Sequence, residues 1–357
     1  MNMNFEILSL DERKQWSAYL AKIPDGSKSP YFKPEYYHLF EKWGEGKSIC
    51  FVGTEQDKVV LYPTLKNSIN GLGYELDDNY YDIQGAYGYN GPVTNSNDCK
   101  FLKDFSNAIL DYCTHKKIVT EFIRFCPIIG NYNKLLHVKA SHEMENVLID
   151  LTEGMESIWR NSFDNGVRKA VKKAMKAGLG FISLYGDEIA EEELGVFIQI
   201  YNATMRRNQA SENYYFPNSF FLDLFFSMPQ DALISFATLE GKAISTELVI
   251  LNKENAYGFL GGTLSEYYKL SPNSYLRYEL IRYLIESGVK TYSIGGGKPG
   301  DSIYKFKKSF SKDRESKFYI GKYIHNENVY NEIVAQWSER FPEKVDSCKN
   351  YFLKYRF

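Results

Sequence analysis

The chain has 357 residues, more than one domain ordinarily holds, so two domains or two fused halves are expected, with ample length to bury a core. Lys and Arg number 43 against 45 Asp and Glu, a net charge of -2, which excludes the global positive field of a dedicated nucleic-acid binder and makes any anion site local. The five cysteines (Cys50, Cys99, Cys113, Cys126, Cys348) are odd in number, scattered and never in a CxxC pair, which argues against a disulfide framework and a zinc site and fits a reducing cytosol.

The N-terminal MNMNFEILSLDERKQW lacks a basic segment followed by an apolar one, and no run approaches the ~20 apolar residues that span a bilayer. A cytoplasmic protein with no integral membrane segment is expected. An amphipathic segment from Pro34 to Trp43 leads to two β-rich runs, SICFVGTEQ and KVVLYPTLK, separated by a polar turn at Gln56-Asp57, which predicts a hairpin. The loop YYDIQGAYGYNGP follows, where glycines and tyrosines such as Tyr87 suit the lining of a cleft. FLKDFSNAILDYCTHKKIVTEFIRF then reads as a helix followed by a strand.

The same order recurs half a chain later. ALISFATLE and KAISTELVILN flank Gly241, AYGFLGGT follows, and SYLRYELIRYLIESGVKTYSIGG is again a helix and a strand. Laying Ile49-Cys50-Phe51 over Ile234-Ser235-Phe236 aligns Glu55 with Glu240, so the chain is expected to carry two copies of one α/β unit. Between the copies lie a helix near 164–177, a strand GFISLY, a helix near 188–208 and a shorter one near 218–227; KFYIGKYI and a helix containing Trp337 end the chain.

Four stretches carry candidate chemistry. In NGVRKAVKKAMKAGLG, helical spacing gathers Arg168, Lys169, Lys172, Lys173 and Lys176 on one face and Val167, Ala170, Val171, Ala174 and Met175 on the other. The cations form either a solvated face or a phosphate contact. In YNATMRRNQASENYYF, Arg207 suits phosphate or carboxylate recognition beside aromatics such as Tyr214. Pro272-Asn273-Ser274 stands at a helix start whose exposed N–H groups suit an anion. YSIGGGKPGDSIYKFKKSF ends a strand in glycines, Gly295 and Gly296 among them, that permit close backbone approach, and sets Lys307 beside Phe306 and Phe310, where its charge could face a developing oxyanion.

The histidines (His38, His115, His137, His142, His325) stand in no HExxH, GxSxG or triad pattern, so no metal is expected and each reads as structural or exposed. Glu247 interrupts the apolar run AISTELVIL. A charge mid-strand is costly unless used as a base or satisfied by an Arg or Tyr.

Taken in order, YFKPEYYHLFEKWG, YDIQGAYGYNGP, VRKAVKKAMKAGL, TMRRNQASENYYF, GGGKPGDSIYKFKKSF and FYIGKYIHNENVY resemble the FemAB-like acyltransferases and their GNAT-fold relatives, over nearly the whole chain. The resemblance implies an α/β fold of two tandem GNAT-like domains with mixed sheets flanked by helices: 1–145 on the acceptor side, and 146–357 carrying the basic helix, the donor site and the catalytic groups. Phe306-Lys307-Lys308-Ser309-Phe310 matches the family's F-K-x-x-F element, which gives Lys307 the role of stabilising the tetrahedral intermediate. Arg207, in the T-x-x-R pattern from Thr204, inherits contact with a precursor phosphate, whereas Lys33 and Tyr37 replace the family's Gln and Trp near the acceptor.

The glycine-rich pyrophosphate loop of GNAT enzymes is missing before Asn273. The expected protein is thus an N-acyltransferase with Lys307 and Glu247 catalytic. Lys33, Tyr37, Tyr87, Arg207, Tyr214 and Phe306 would bind the acceptor, a small molecule or a nucleotide- or lipid-linked sugar. Arg168, Lys172, Asn273, Ser274, Gly295 and Gly296 would bind the donor, acyl-CoA or aminoacyl-tRNA, as a co-substrate and not as a tightly bound cofactor. DNA is not an expected partner; tRNA enters as one of the two candidate donors. The alternatives are an acetyl-CoA-dependent amino-sugar N-acetyltransferase and a non-catalytic RNA- or precursor-binding protein of the same fold.

Overall fold

Gln56, at φ 55°, and the pair Glu240-Gly241, at φ 51° and 82°, take the left-handed backbone that two-residue hairpin turns require. The hairpins they close anchor two separate units in a computed structural model that describes residues 3–312 and 315–357. Unit 1 runs to Glu143 and includes Phe318–Phe357; unit 2 is Met144–Lys317. Matched on these turns, Gln56 corresponds to Glu240, because Glu55 pairs Lys58 while Leu239 pairs Lys242. The alignment of Glu55 with Glu240 is therefore one residue out, which along a strand exchanges the two faces.

In unit 1, β1 (Asn4–Leu8), β2 (Lys47–Glu55), β3 (Lys58–Ser68), β4 (Tyr81–Gln84) and β6 (Ile118–Arg124) are neighbours in that order, with β5 (Val93–Thr94) also on β3. All pairs are antiparallel except β4 with β6. Helices α1 (Arg13–Ala21) and α2 (Pro34–Lys42) precede the hairpin. Helix α3 (Cys99–His115), capped by the Asp98 side chain, supplies the crossover that a parallel pair needs. Its Phe101, Leu102, Phe105, Ile109 and Cys113 form one apolar stripe, packed with Phe51, Val60, Ile83 and Ile123 of the sheet.

The strand that closes this sheet comes from far along the chain: Glu315–Ile324 runs antiparallel to β6, pairing Ile320 with Arg124 and Ile324 with Thr120. The helix after it, Glu327–Arg340, is capped by Asn326 and sets Val329, Ile333 and Trp337 among Ile69, Tyr74, Tyr80 and Val119. Residues 318–357, expected in the second half, thus belong to unit 1 through backbone pairing and a shared core.

Unit 2 begins with β7 (Ala140–Asp150), whose residues from Met144 onward it includes, and a short helix α4 (Gly154–Ser157) that runs into a π-helical turn, Ile158–Ser162. Next come α5 (Asn165–Lys176), β8 (Gly180–Tyr185), α6 (Glu191–Arg207) and α7 (Asn218–Ser227). They are followed by β9 (Ala232–Leu239), β10 (Lys242–Leu251), β11 (Asn255–Thr263), α8 (Pro272–Glu286), β12 (Thr291–Gly297), α9 (Ser302–Lys308) and then β13, the strand Glu315–Ile324.

The sheet order is β8-β9-β10-β11-β12-β7, antiparallel except for β11 with β12. This is the plan of unit 1 repeated, with β7 in the place that β13 takes there. Val167, Val171 and Ala174 of α5 share a core with Leu276, Leu280, Ile281 and Leu284 of α8 and with Val147, Leu233 and Val249 of the sheet. Met175, expected on the buried face, is 42% exposed, because the apolar stripe is satisfied at Val167, Val171 and Ala174, at i, i+4 and i+7. Among the described residues no helix is long and apolar enough to cross a membrane.

Candidate active site

The parallel strands of unit 2 hold together for only three residues, Asn255–Tyr257 against Thr291–Ser293. Beyond that point β11 and β12 part. Between Leu248 and Val249 of β10 the register against β11 also slips, leaving Phe259 as an extra residue. The opening so formed is a pocket of about 300 Å³, floored by Glu247 and Gly258 to Thr263 and walled by Asn273, Arg277, Ile294, Phe306 and Lys307.

Glu247 lies mid-strand on β10, 6% exposed. Its Oε2 accepts from Arg277 Nη2 at 2.7 Å, and its Oε1 accepts the hydroxyl of Tyr292, a residue of β12. The carboxylate has room only because residue 258 is glycine: a Cβ there would stand 2.8 Å from Glu247 Oε1. Arg277, in the second turn of α8, also lies over the rings of Phe306 and Phe310, its Cζ 5.8 and 5.6 Å from their centroids. Its Nε and Nη1 are buried without a hydrogen-bond partner among the described residues.

Lys307 reaches the same place from α9, the Nζ donating to the carbonyl of Gly296 at 3.1 Å. Gly295 permits this twice over, by a left-handed φ of 80° and by lacking a Cβ that would meet Lys307 Nζ at 2.8 Å. Burial, with a smaller push from the Arg277 charge, brings the Lys307 ammonium down from the usual 10.5 to about 8, although the charge of Glu247 opposes this. Among the described residues Lys307 Nζ donates to that one carbonyl, so a cation with donors to spare lines the pocket.

The remaining sequence candidates are distributed as follows. Arg207 lines the pocket, donating from Nη1 to Thr263 O at 3.0 Å with its guanidinium 5.1 Å from the centroid of Tyr268. Asn273 lines it too, but its Oδ1 accepts the N–H of Ser274, which is buried and does not line the pocket. Gly296 is closed on one side by β7, where a Cβ would come within 2.4 Å of Glu145 O, so close packing of strands accounts for that glycine.

Tyr214 is 44% exposed and lies outside the lining; its carbonyl accepts from Tyr201. Arg168 is turned inward, donating to the carbonyls of Trp159, Arg160 and Phe163, so it ties α5 to the π-helical turn instead of joining the exposed Lys172. Lys33, Tyr37 and Tyr87 belong to unit 1. Tyr37 is fully buried with its hydroxyl on Pro63 O at 2.8 Å, which accounts for it structurally, and Tyr87 O accepts from Tyr36.

Arg277, Tyr292 and Gly258 were not singled out by sequence. The demand of a mid-strand glutamate for an Arg or Tyr partner was the available signal, and both residue types supply it.

Residues 161–308 match the family described as acetyltransferase (GNAT) domain. The fold is similar to that in the crystal structure of FemX, with a TM-score of 0.68 and 13% identity, covering 92% of this chain and 99% of that one. It is also similar to L-PGS from Bacillus licheniformis, with a TM-score of 0.58 and 13% identity over 90% of this chain and 95% of that one. A tandem GNAT protein from the clavulanic acid biosynthesis pathway matches at 0.52 and 8% identity, over 91% of this chain and 99% of that one. No curated protein matches in sequence. The expected pair of GNAT-like α/β halves is the fold observed.

Proposed function

From the premise that this chain carries a GNAT acyltransferase domain in unit 2, we propose that it moves an acyl or aminoacyl group from an activated donor to an amine, with Lys307 stabilising the charge that develops on the carbonyl oxygen. The observation that carries this reading is the ammonium of Lys307 held at the opening between β11 and β12, facing the pocket beside Gly295. The amine attacks the carbonyl carbon, the π electrons move to oxygen, and the oxyanion meets the ammonium. Collapse re-forms the carbonyl, breaks the bond to the donor, and the amine proton leaves with the thiolate or ribose oxygen that departs. Removing a single oxyanion donor typically costs about 10²–10³ in rate.

Glu247, expected as a base, has both oxygens engaged by Arg277 and Tyr292, so its proposed part is to position Arg277 and to help keep Lys307 charged. Arg207 at the pocket is suited to an anionic group on the acceptor, a sugar or envelope precursor bearing phosphate.

Lys307→Met tests the reading with purified protein and a matched donor and acceptor. Transfer should fall about 10²-fold or more, and wild-type rates in the variant would refute the role. A second reading, transfer from acetyl-CoA to an amino sugar, is favoured by the match to an acetyltransferase domain. Calorimetric binding of CoA, with no response to charged tRNA, would select it.

A further inference from the structure

Unit 1 gathers three side chains that the acyl-transfer reading leaves unused. Glu121 lies mid-β6, His137 in the loop before β7, and His325 directly after β13. Their side chains are 0, 4 and 3% exposed. His137 Nε2 and His325 Nε2 stand 2.9 and 3.1 Å from one and the same oxygen, Glu121 Oε2. One ligand atom from each of the three residues falls within 4.8 Å of the other two.

Each member is held by its own backbone anchor. Glu121 is fixed by pairing with Tyr323 across the sheet. His325 N–H donates to Val119 O at 2.8 Å. The loop carrying His137 is pinned where Leu136 N–H donates to Ser106 Oγ on α3 at 2.9 Å. The Tyr323 ring lies edge-on to both imidazoles, its centroid 5.3 and 4.8 Å from theirs.

A second observation concerns what is left bare. Among the described residues Glu121 Oε1 and His137 Nδ1 are buried without a hydrogen-bond partner within 3.5 Å, and the buried Tyr62 hydroxyl lies near Glu121. Buried side-chain polar atoms ordinarily have a partner, so bare ones mark a place where a further group can bind. Here two imidazole nitrogens converge on one oxygen. Separations of about 2.9–3.3 Å between ligand atoms are what oxygen and nitrogen produce when each lies ~2.0–2.1 Å from a common ion in octahedral or tetrahedral arrangement.

We infer that Glu121, His137 and His325 form a buried site for a divalent transition ion of the zinc class, with Oε2 and the two Nε2 atoms as ligands. Tyr62 or Glu121 Oε1 is available as a further oxygen ligand. Imidazole with carboxylate is a donor set suited to zinc. The ligands must be unprotonated at the coordinating atoms, so any proton on Nε2 passes to solvent as the ion binds, and occupancy drops as the pH is lowered. The ion would join β6, β13 and the 131–138 loop, a structural role within unit 1. Glu121 stands 16 residues from His137 and 204 from His325, so no spacing motif announces the set.

The experiment uses the full chain, stripped with chelator, reloaded with zinc sulfate and desalted, with metal measured by plasma mass spectrometry and stability by thermal melting. About one equivalent of zinc should be retained and the melting temperature should rise by several degrees. His137→Gln and His325→Gln should lose both effects, while the exposed His115→Gln keeps them. Cobalt(II) on the wild-type chain should give visible absorption bands of low-coordinate nitrogen and oxygen ligation, a reading that stands even where a variant fails to fold. Fewer than about a tenth of an equivalent with an unchanged melting temperature overturns the proposal. So does full retention of zinc by a folded His137→Gln and His325→Gln pair.

Discussion

Lys307 carries its charge where water cannot fully support it. The folded chain holds its proton to a pKa of about 8, against 10.5 for the free side chain. Between those values the unfolded chain binds the proton more tightly than the folded one. The resulting cost to stability is fully present below pH about 8 and is relieved as pH rises towards 10.5, with a size on the order of 3 kcal/mol. Lys307→Met, slowed in transfer, should therefore be more stable than the wild type, by about 1–3 kcal/mol in urea unfolding at pH 7. A variant that lost both activity and stability would point to a merely structural lysine.

Because the proposed role needs the ammonium, kcat/KM should descend above pH about 8 in the wild type, and Lys307→Arg should move that limb upwards. Glu247→Gln removes a charge that favours the ammonium, so its limb should lie lower in pH. Arg277→Met leaves the Glu247 carboxylate buried without its cation and should destabilise unit 2 by about 3–5 kcal/mol, measured by denaturant unfolding. Of these groups, Lys307 and Glu247 were legible in sequence, one from its aromatic neighbours and one as a charge in an apolar strand. Arg277 was not, because nothing local in SYLRYELIRYL tells which face of a mostly buried helix meets β10.

At the level of elements, the site depends on two strands that begin as partners and then separate. Gly258 sits at the point of divergence, and the Glu247 carboxylate beside it is held from two directions and cannot yield. Gly258→Ala should thus lower kcat by about tenfold or more, since misplacing the reacting groups by ~1 Å can cost far more than that. The clash should also cost stability, about 1–3 kcal/mol in denaturant unfolding, and equal activity with a displaced Glu247 would show that the carboxylate is dispensable.

The hairpins, and the helix–strand pairs that follow them, were readable because alternation and turn residues are local signals. What escaped was the separation of β11 from β12 and the ownership of the last strand. Both depend on partners 36 or more residues away: Ala256 pairs Tyr292, and Gly321 pairs Ile123. Arg168 escaped for a related reason: helical spacing puts it on the lysine face, but nearby carbonyls of the π-helical turn draw its guanidinium inward.

For the molecule as a whole, the two units are built to one plan but are not equally self-contained. Unit 2 is one continuous stretch, whereas unit 1 is completed by residues 318–357. Those residues are secured at Asp82, fully buried on β4, which accepts from Arg356 Nε and Nη2 at 2.8 and 2.9 Å and from the Tyr355 hydroxyl at 2.8 Å. Asp82→Asn should lower the stability of unit 1 by about 3–5 kcal/mol in denaturant unfolding. As isolated fragments, 144–317 should melt cooperatively by circular dichroism and 1–143 should not. A cooperative 1–143 would show that the returning strand is an accessory. The strand that completes unit 1 is made only after the whole of unit 2. On a ribosome, the first unit to emerge would wait, with the edge of β6 unpaired and its apolar faces half covered, while the second unit is synthesised and folds ahead of it. The order of folding would then reverse the order of synthesis, and the time spent waiting is when this chain would be most exposed to aggregation and most in need of a chaperone.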